Sequence, residues 1–231
     1  MNGIVWLGDE GDPTWFPPVS QALDEPDGLL AAGGALTPAR LVCAYERGIF
    51  PWYSDGQPVL WWSPDPRAVL FPDELRISRS LRKALRRGKF VTRLDTDFAA
   101  VIEGCAAPRP SAPGTWLTAE MILAYRHLHD LGLAHSIETW QGDRLVGGLY
   151  GVCLGRVFFG ESMFSAATDA SKVALVRLMV EARARGIVVI DCQVPNAHLQ
   201  SLGSRSIPRT DFVQLLHEHS RPHEPGSWKA L

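Results

Sequence analysis

Four cysteines occur in 231 residues, Cys43, Cys105, Cys153 and Cys192, and none lies close enough to another to form a CxxC pair. That spacing excludes a clustered-thiolate metal site and a thioredoxin-type redox motif, and it reads as reduced core thiols of a cytoplasmic protein. No run of about 18 uninterrupted apolar residues appears, so no helix is expected to cross a membrane. Met1 to Thr14 carries Asp9, Glu10 and Asp12 and has neither the basic nor the apolar region of a signal peptide. Coiled-coil and repeat signals are also missing, and a monomer is expected. Net positive charge is lacking too: 23 Lys plus Arg stand against 25 Asp plus Glu, a formal charge of -2. Taken whole, that balance speaks against a polyanion partner. With 46% hydrophobic and 21% charged residues, the chain is neither disordered nor fibrous, and it has material for one large core or two small ones.

The charge is, however, segregated. Between Arg76 and Arg93 stand eight cations, Arg76, Arg79, Arg82, Lys83, Arg86, Arg87, Lys89 and Arg93, with no acid among them. Removing these eight leaves 15 cations against 25 acids, so the rest of the chain is at -10. Arg79, Arg82, Lys83, Arg86 and Arg87 follow the i, i+3, i+4, i+7, i+8 spacing of one helix face, with Leu81, Ala84 and Leu85 opposite. Ser78 or Ser80 suits the start of that helix and Gly88 its end. Like charges one turn apart repel by a few tenths of a kcal/mol per pair. The stripe is therefore either a solvated face or a surface for a polyanion; its short apolar side, without Trp or Phe, argues against membrane binding.

Two unequal parts are expected, a small N-terminal domain over residues 1–67 and a larger α/β domain over 68–231. The first is rich in Pro, Gly and Trp, with one clear helix from Thr37 to Arg47, where Thr37 caps and Pro38 takes the first helical position. Two aromatic clusters follow, Ile49-Phe50-Pro51-Trp52-Tyr53 and Leu60-Trp61-Trp62, fit either for a core or for lining a pocket. In the second part a helix from Thr118 to Leu131 precedes three strands, Ala134 to Trp140, Arg144 to Val152 and Arg156 to Glu161, separated by turns as in an antiparallel meander. A long helix, Ser171 to Arg185, and a buried strand, Ile187 to Ile190, complete the pattern, and the strand stops on Asp191-Cys192-Gln193. A meander, a helix and a strand ending on polar residues is the order of an acetyltransferase-like (GNAT) α/β fold.

The ordered phrases GLLAAGGALTPARLVCAYERGIFPWY, LWWSPDPRAVL, ISRSLRK, VIEGCA, GTWLT, HSIE, LVGGLYGV, FFGESMFS, ASKVAL, IDCQVPNAHLQSLGS and IPR resemble the leucyl/phenylalanyl-tRNA-protein transferase family, from about Trp15 to Leu216. The resemblance implies an aminoacyltransferase that moves Leu or Phe, and Met less well, from aminoacyl-tRNA to the N-terminal α-amine of proteins beginning with Arg or Lys. It also implies that this transfer marks them for degradation by an N-degron route. Aminolysis of an already activated ester needs no cofactor and no metal; it needs a neutral amine, a polarised carbonyl and close positioning.

By that resemblance Asp191, Gln193 and Glu161 are the catalytic candidates, Asp191 polarising Gln193 so that the Gln193 carbonyl orients the incoming amine. Trp52, Trp116 and Phe158 are the implied stackers for the terminal adenine and walls for its approach. Leu149, Met163, Leu175, Leu178 and Ile190 lie on elements expected to converge on an apolar aminoacyl slot. The stripe of Arg76, Arg79, Arg82, Lys83, Arg86 and Arg87 becomes the expected tRNA-backbone surface. Two rival readings remain. An acyl-CoA-dependent N-acetyltransferase needs a glycine-rich phosphate cradle, and Met163 to Lys172 contains no glycine. An RNA-binding module without catalysis would leave the polar residues around Asp191 idle.

Overall fold

The computed structural model describes residues 4–9, 11–108, 117–221 and 228. Residues 4–9 and 11–62 build a small sheet around one α-helix. Strands β1 (Val5–Leu7) and β2 (Leu29–Gly33) run parallel. Helix α1 (Pro38–Glu46) begins where the Thr37 side chain accepts a hydrogen bond from the Arg40 N–H, with proline at a position whose own N–H would have no helical partner. Strands β3 (Phe50–Pro51) and β4 (Leu60–Trp62) then close the sheet in the order β1-β2-β4-β3. Apolar periodicity is no guide to this sheet, because its strands are two to five residues long and Pro and Gly punctuate them.

The remaining elements follow from β5 (Arg67–Leu70) through α2 (Arg79–Arg86), β6 (Val91–Leu94), α3 (Phe98–Ala106) and α4 (Ala119–Asp130). After these come the meander β7 (Ala134–Gln141), β8 (Arg144–Leu154) and β9 (Val157–Ser165), and then α5 (Ala170–Ala184). The chain then passes to β10 (Val189–Gln193), α6 (Ala197–Ser201), β11 (Arg205–Ile207) and α7 (Arg209–His219). These strands form a seven-stranded mixed sheet, ordered β11-β5-β10-β9-β8-β7-β6. All neighbours are antiparallel except β9 and β10, which are parallel because α5 carries the chain across the sheet between them. The fold is α/β, as the order of elements implied. Among the described residues no helix is long and apolar enough to cross a membrane.

Several boundaries differ from the sequence expectation; β9, expected to end at Glu161, continues to Ser165. The buried strand was expected at Ile187 to Ile190 but runs from Val189 to Gln193. Ile187 is taken up in ending α5, its N–H donating to the Ala182 carbonyl, and the polar residues stay in the sheet because buried partners satisfy them. Arg67, assigned to the small domain, is the first residue of β5 in the large sheet. One buried cluster joins Leu30, Tyr45 and Trp61 of the first part to Val69, Tyr125, Phe159 and Phe212 of the second.

A second cluster on the opposite face of the large sheet lies under α5 and takes in Leu81 of α2, Leu149, Phe158, Leu175, Leu178 and Ile190. Trp228 docks there. Its ring stacks on His135 at 4.5 Å, packs against Phe158 at 5.5 Å and lies under the Arg185 guanidinium. Its backbone N–H donates to Asp95 and its carbonyl accepts from Arg185.

Candidate active site

Strands β9 and β10 pair only over Val157–Phe159 and Val189–Asp191. Beyond that point both continue, unpaired with each other, and a cavity of about 300 Å³ opens between them. A bulge in each strand shapes the opening. In β9 the register slips where Tyr150 and Gly151 face Ser162 and Gly160, leaving Glu161 as the extra residue. Gly151 permits this approach, since a Cβ there would lie 2.2 Å from the Phe159 carbonyl oxygen. In β10 the register slips between Asp191 and Gln193, and Gln193 adopts φ 62, a left-handed conformation that few non-glycine residues take. Backbone held there costs of order 1 kcal/mol or more and is a common mark of functional sites.

The opening joins the two faces of the sheet. Leu149, Phe158, Met163, Leu175, Leu178 and Ile190 supply an apolar side, and Glu161, Asp191 and Gln193 a polar one, with Trp52 at the rim. Every residue assigned from the sequence to the slot and to the catalytic set therefore lines one cavity. Trp52 is 43% exposed and packs at a tilt against Trp62, which also donates its indole N–H to the Trp52 carbonyl. Phe158 is wholly buried, packs against Trp228 and forms a wall of the cavity. Trp116 lies outside the described residues.

The polar side is wired by buried hydrogen bonds. Asp191 is fully buried and gripped at both oxygens by Arg67, Nε to Oδ1 at 2.8 Å and Nη2 to Oδ2 at 2.6 Å. Arg67 is equally buried, donates through Nη1 to the Gly48 carbonyl, and lies between the rings of Phe50 and Phe212. A planar guanidinium satisfied on every side is what a buried carboxylate requires. Asp191 meets Gln193 only through the Gln193 backbone N–H, at 2.9 Å. The Gln193 side-chain amide donates instead to Glu161 Oε1 at 3.1 Å. Asp191 thus reaches Gln193 through the main chain, which it holds in its strained conformation, and Glu161 holds the side-chain amide.

Glu161 also contacts two tyrosines from separate helices. Tyr45 of α1 lies 2.7 Å from Oε1 and Tyr125 of α4 lies 2.7 Å from Oε2. A buried phenol needs a partner for its hydroxyl, and that requirement was the one signal that could have drawn these residues to the site. Burial, helped by the neighbouring Asp191 charge and opposed by the tyrosine hydroxyls and Arg67, pushes the Glu161 carboxyl up to about 7. Burial also holds Tyr45, Tyr125 and Tyr150 well above the ordinary phenol value, with the Glu161 charge adding to each. The Cys192 thiol, on the cavity wall, is raised by burial and by Asp191, so it is no thiolate nucleophile.

On α2 the Ser78 side chain caps the helix and Leu81 is buried towards α5. Arg76, Arg79, Arg82, Lys83, Arg86 and Arg87 are all exposed. None of the six forms an ion pair with an acid among the described residues.

Residues 69–217 match the family described as leucyl/phenylalanyl-tRNA protein transferase, and residues 34–65 match the N-terminal domain of the same description. The chain is 56% identical over 227 residues to the leucyl/phenylalanyl-tRNA–protein transferase of Stutzerimonas stutzeri (strain A1501), covering 98% of this chain and 100% of that one. It is 60% identical over 204 residues to the protein of that name from Pseudomonas aeruginosa (strain LESB58), covering 88% and 90%. Likeness to solved structures is loose. A ribosomal-protein-alanine N-acetyltransferase from Brucella melitensis biovar Abortus 2308 matches with a TM-score of 0.35 and 13% identity, over 62% of this chain and 96% of that one. With a family match over most of its length and relatives more than half identical from end to end, this chain belongs to the leucyl/phenylalanyl-tRNA–protein transferases, aminoacyltransferases that act from tRNA to protein.

Proposed function

We propose that this protein transfers Leu or Phe from its tRNA to the N-terminal α-amine of proteins beginning with Arg or Lys, so marking them for N-degron degradation in the cytoplasm. The observation that carries the reading is the cavity between β9 and β10, where an apolar slot and a polar cluster meet across the split sheet. The slot suits an apolar side chain of either shape: Leu149, Leu175, Leu178 and Ile190 give it width, and Met163 adds a flexible thioether. Gln193, whose amide nitrogen is committed to Glu161, presents its carbonyl oxygen as an acceptor for the attacking amine. That amine titrates ordinarily at about 7.7 to 8.0, so a useful fraction is neutral at cytoplasmic pH. The exposed stripe on α2 supplies sequence-independent phosphate contacts, and Trp52 a face for the terminal adenine.

The assay is transfer of radiolabel from Leu-tRNA, Phe-tRNA or Met-tRNA to peptides beginning with Arg, Lys or Ala. Label is expected to pass from Leu-tRNA and Phe-tRNA, less from Met-tRNA, to the Arg and Lys peptides. Equal transfer to the Ala peptide, or to N-acetylated peptides, contradicts the acceptor assignment.

A further inference from the structure

Three oxygen pairs close a triangle at the inner end of the cavity. Tyr45 Oη and Tyr125 Oη lie 2.6 Å apart, Tyr45 Oη lies 2.7 Å from Glu161 Oε1, and Tyr125 Oη lies 2.7 Å from Glu161 Oε2. Each separation is that of an O–H···O hydrogen bond, and each needs one proton between its oxygens. The two phenols bring two protons, and burial keeps both phenols un-ionised. An ionised Glu161 brings none, so one contact would set lone pair against lone pair in a site without water-like screening. One further proton removes the conflict.

We propose that Glu161 is held as the neutral acid, its proton on Oε2 directed at Tyr125, closing a ring in which Tyr125 donates to Tyr45 and Tyr45 donates to Glu161 Oε1. Oε1 is then a carbonyl oxygen, an acceptor only, and takes hydrogen bonds from both Tyr45 and the Gln193 amide. That fixes which way the Gln193 amide faces. The charged and titratable groups around Glu161 agree with the assignment. Tyr45 reaches it from α1, Tyr125 from α4 and Tyr150 from β8, while Asp191 of β10 is already matched by Arg67 of β5. A second carboxylate would leave the buried cluster with an unmatched negative charge.

The consequence for the reaction rests on the reading above, in which an α-amine attacks beside Gln193. A carboxylate at this point favours the ammonium form of a nearby amine, which has no lone pair to attack with. Here both acids of the site are matched in advance, Asp191 by a guanidinium and, up to about pH 7, Glu161 by a proton. Tyr45 and Tyr125 are thus positioning residues, acting on the amine through the protonation state of Glu161.

Difference infrared spectra of the full chain against Glu161→Gln at pH 6 test the proposal without any substrate. The expected result is the C=O stretch of a protonated carboxyl in the wild type that Glu161→Gln abolishes; carboxylate bands alone at pH 6 overturn it. In Tyr45→Phe the band moves to higher frequency, since the carbonyl oxygen Oε1 has lost a donor, and in Tyr125→Phe it shifts as well, since the acid proton has lost its acceptor. An unshifted band in Tyr125→Phe overturns the ring. If the protonated band is present and no aminoacyl transfer occurs, the functional reading fails and the ring stands. Transfer with carboxylate bands only gives the reverse.

Discussion

Replacing Arg67 by leucine isolates the interaction that holds β10 at the cavity. It leaves Asp191 fully buried, with its carboxylate retaining one hydrogen bond, from the Gln193 backbone. Breaking a buried pair from one side costs about 3 to 5 kcal/mol, because the remaining charge is uncompensated. The Gly48 carbonyl also loses its donor, and the rings of Phe50 and Phe212 lose the cation between them. For a chain of this length each kcal/mol lowers the melting temperature by about 2 to 4 °C, so a fall of about 10 °C is expected. Removing both charges in Arg67→Leu with Asp191→Leu avoids the isolated charge and recovers most of that loss. Thermal unfolding of the four proteins closes a double-mutant cycle with an expected coupling of about 3 kcal/mol. A loss below about 1 kcal/mol in Arg67→Leu, or additive single effects, refutes the account of the pair. If the recovered double variant transfers aminoacyl groups at wild-type rate, Asp191 serves the fold alone.

Three further expectations follow from the same structure. Glu161 titrates at about 7 in the fold against an ordinary 4.5. The native state therefore binds the extra proton between those values, and this stabilisation is complete below about pH 4.5 and lost as pH rises through 7. Denaturant unfolding of wild type should show a loss of about 3 kcal/mol over that window that Glu161→Gln does not show, and parallel curves count against the buried acid. Trp228→Ala removes the ring packed on His135 and Phe158, a loss of about 3 to 5 kcal/mol readable by thermal unfolding. A change below 1 kcal/mol means the docking is incidental. Reversing Arg82, Lys83, Arg86 and Arg87 to Glu should weaken tRNA binding and reduce the slope of log affinity against log salt by about 3. An unchanged slope makes the stripe a solvated face.

Much of the fold was legible because local rules and tertiary structure agree. Thr37 with Pro38, Ser78 and Thr118 all sit where capping chemistry puts them, and α1, α2 and α4 start there. The meander and the crossover through α5 follow from apolar runs broken by turns at Gly142 and Gly155. The strands of the small sheet were too short to leave a period. Arg67 was unreadable for a different reason: at the head of the apolar run Ala68 to Phe71, with Asp65 two residues before it, it gives no sign of its partner 124 positions away. The cavity-lining apolar residues could be named because they lie on the meander, the long helix and the strand after it, but the wiring of Glu161 depends on two phenols from separate helices. A tyrosine on an apolar stripe reads as core until its hydroxyl is accounted for. The docking of Trp228 was equally hidden, since nothing near it in the sequence signals an element.

The central claim is that the amine is handled where β9 and β10 part, by the carbonyl of Gln193. Single-turnover transfer of labelled Leu from saturating Leu-tRNA to an Arg-initiated peptide, wild type against Gln193→Ala, tests it most directly. Loss of the group that aligns and helps deprotonate the amine should slow the step by about 10² or more with tRNA binding unchanged. A rate within threefold of wild type in a folded Gln193→Ala protein would contradict the claim.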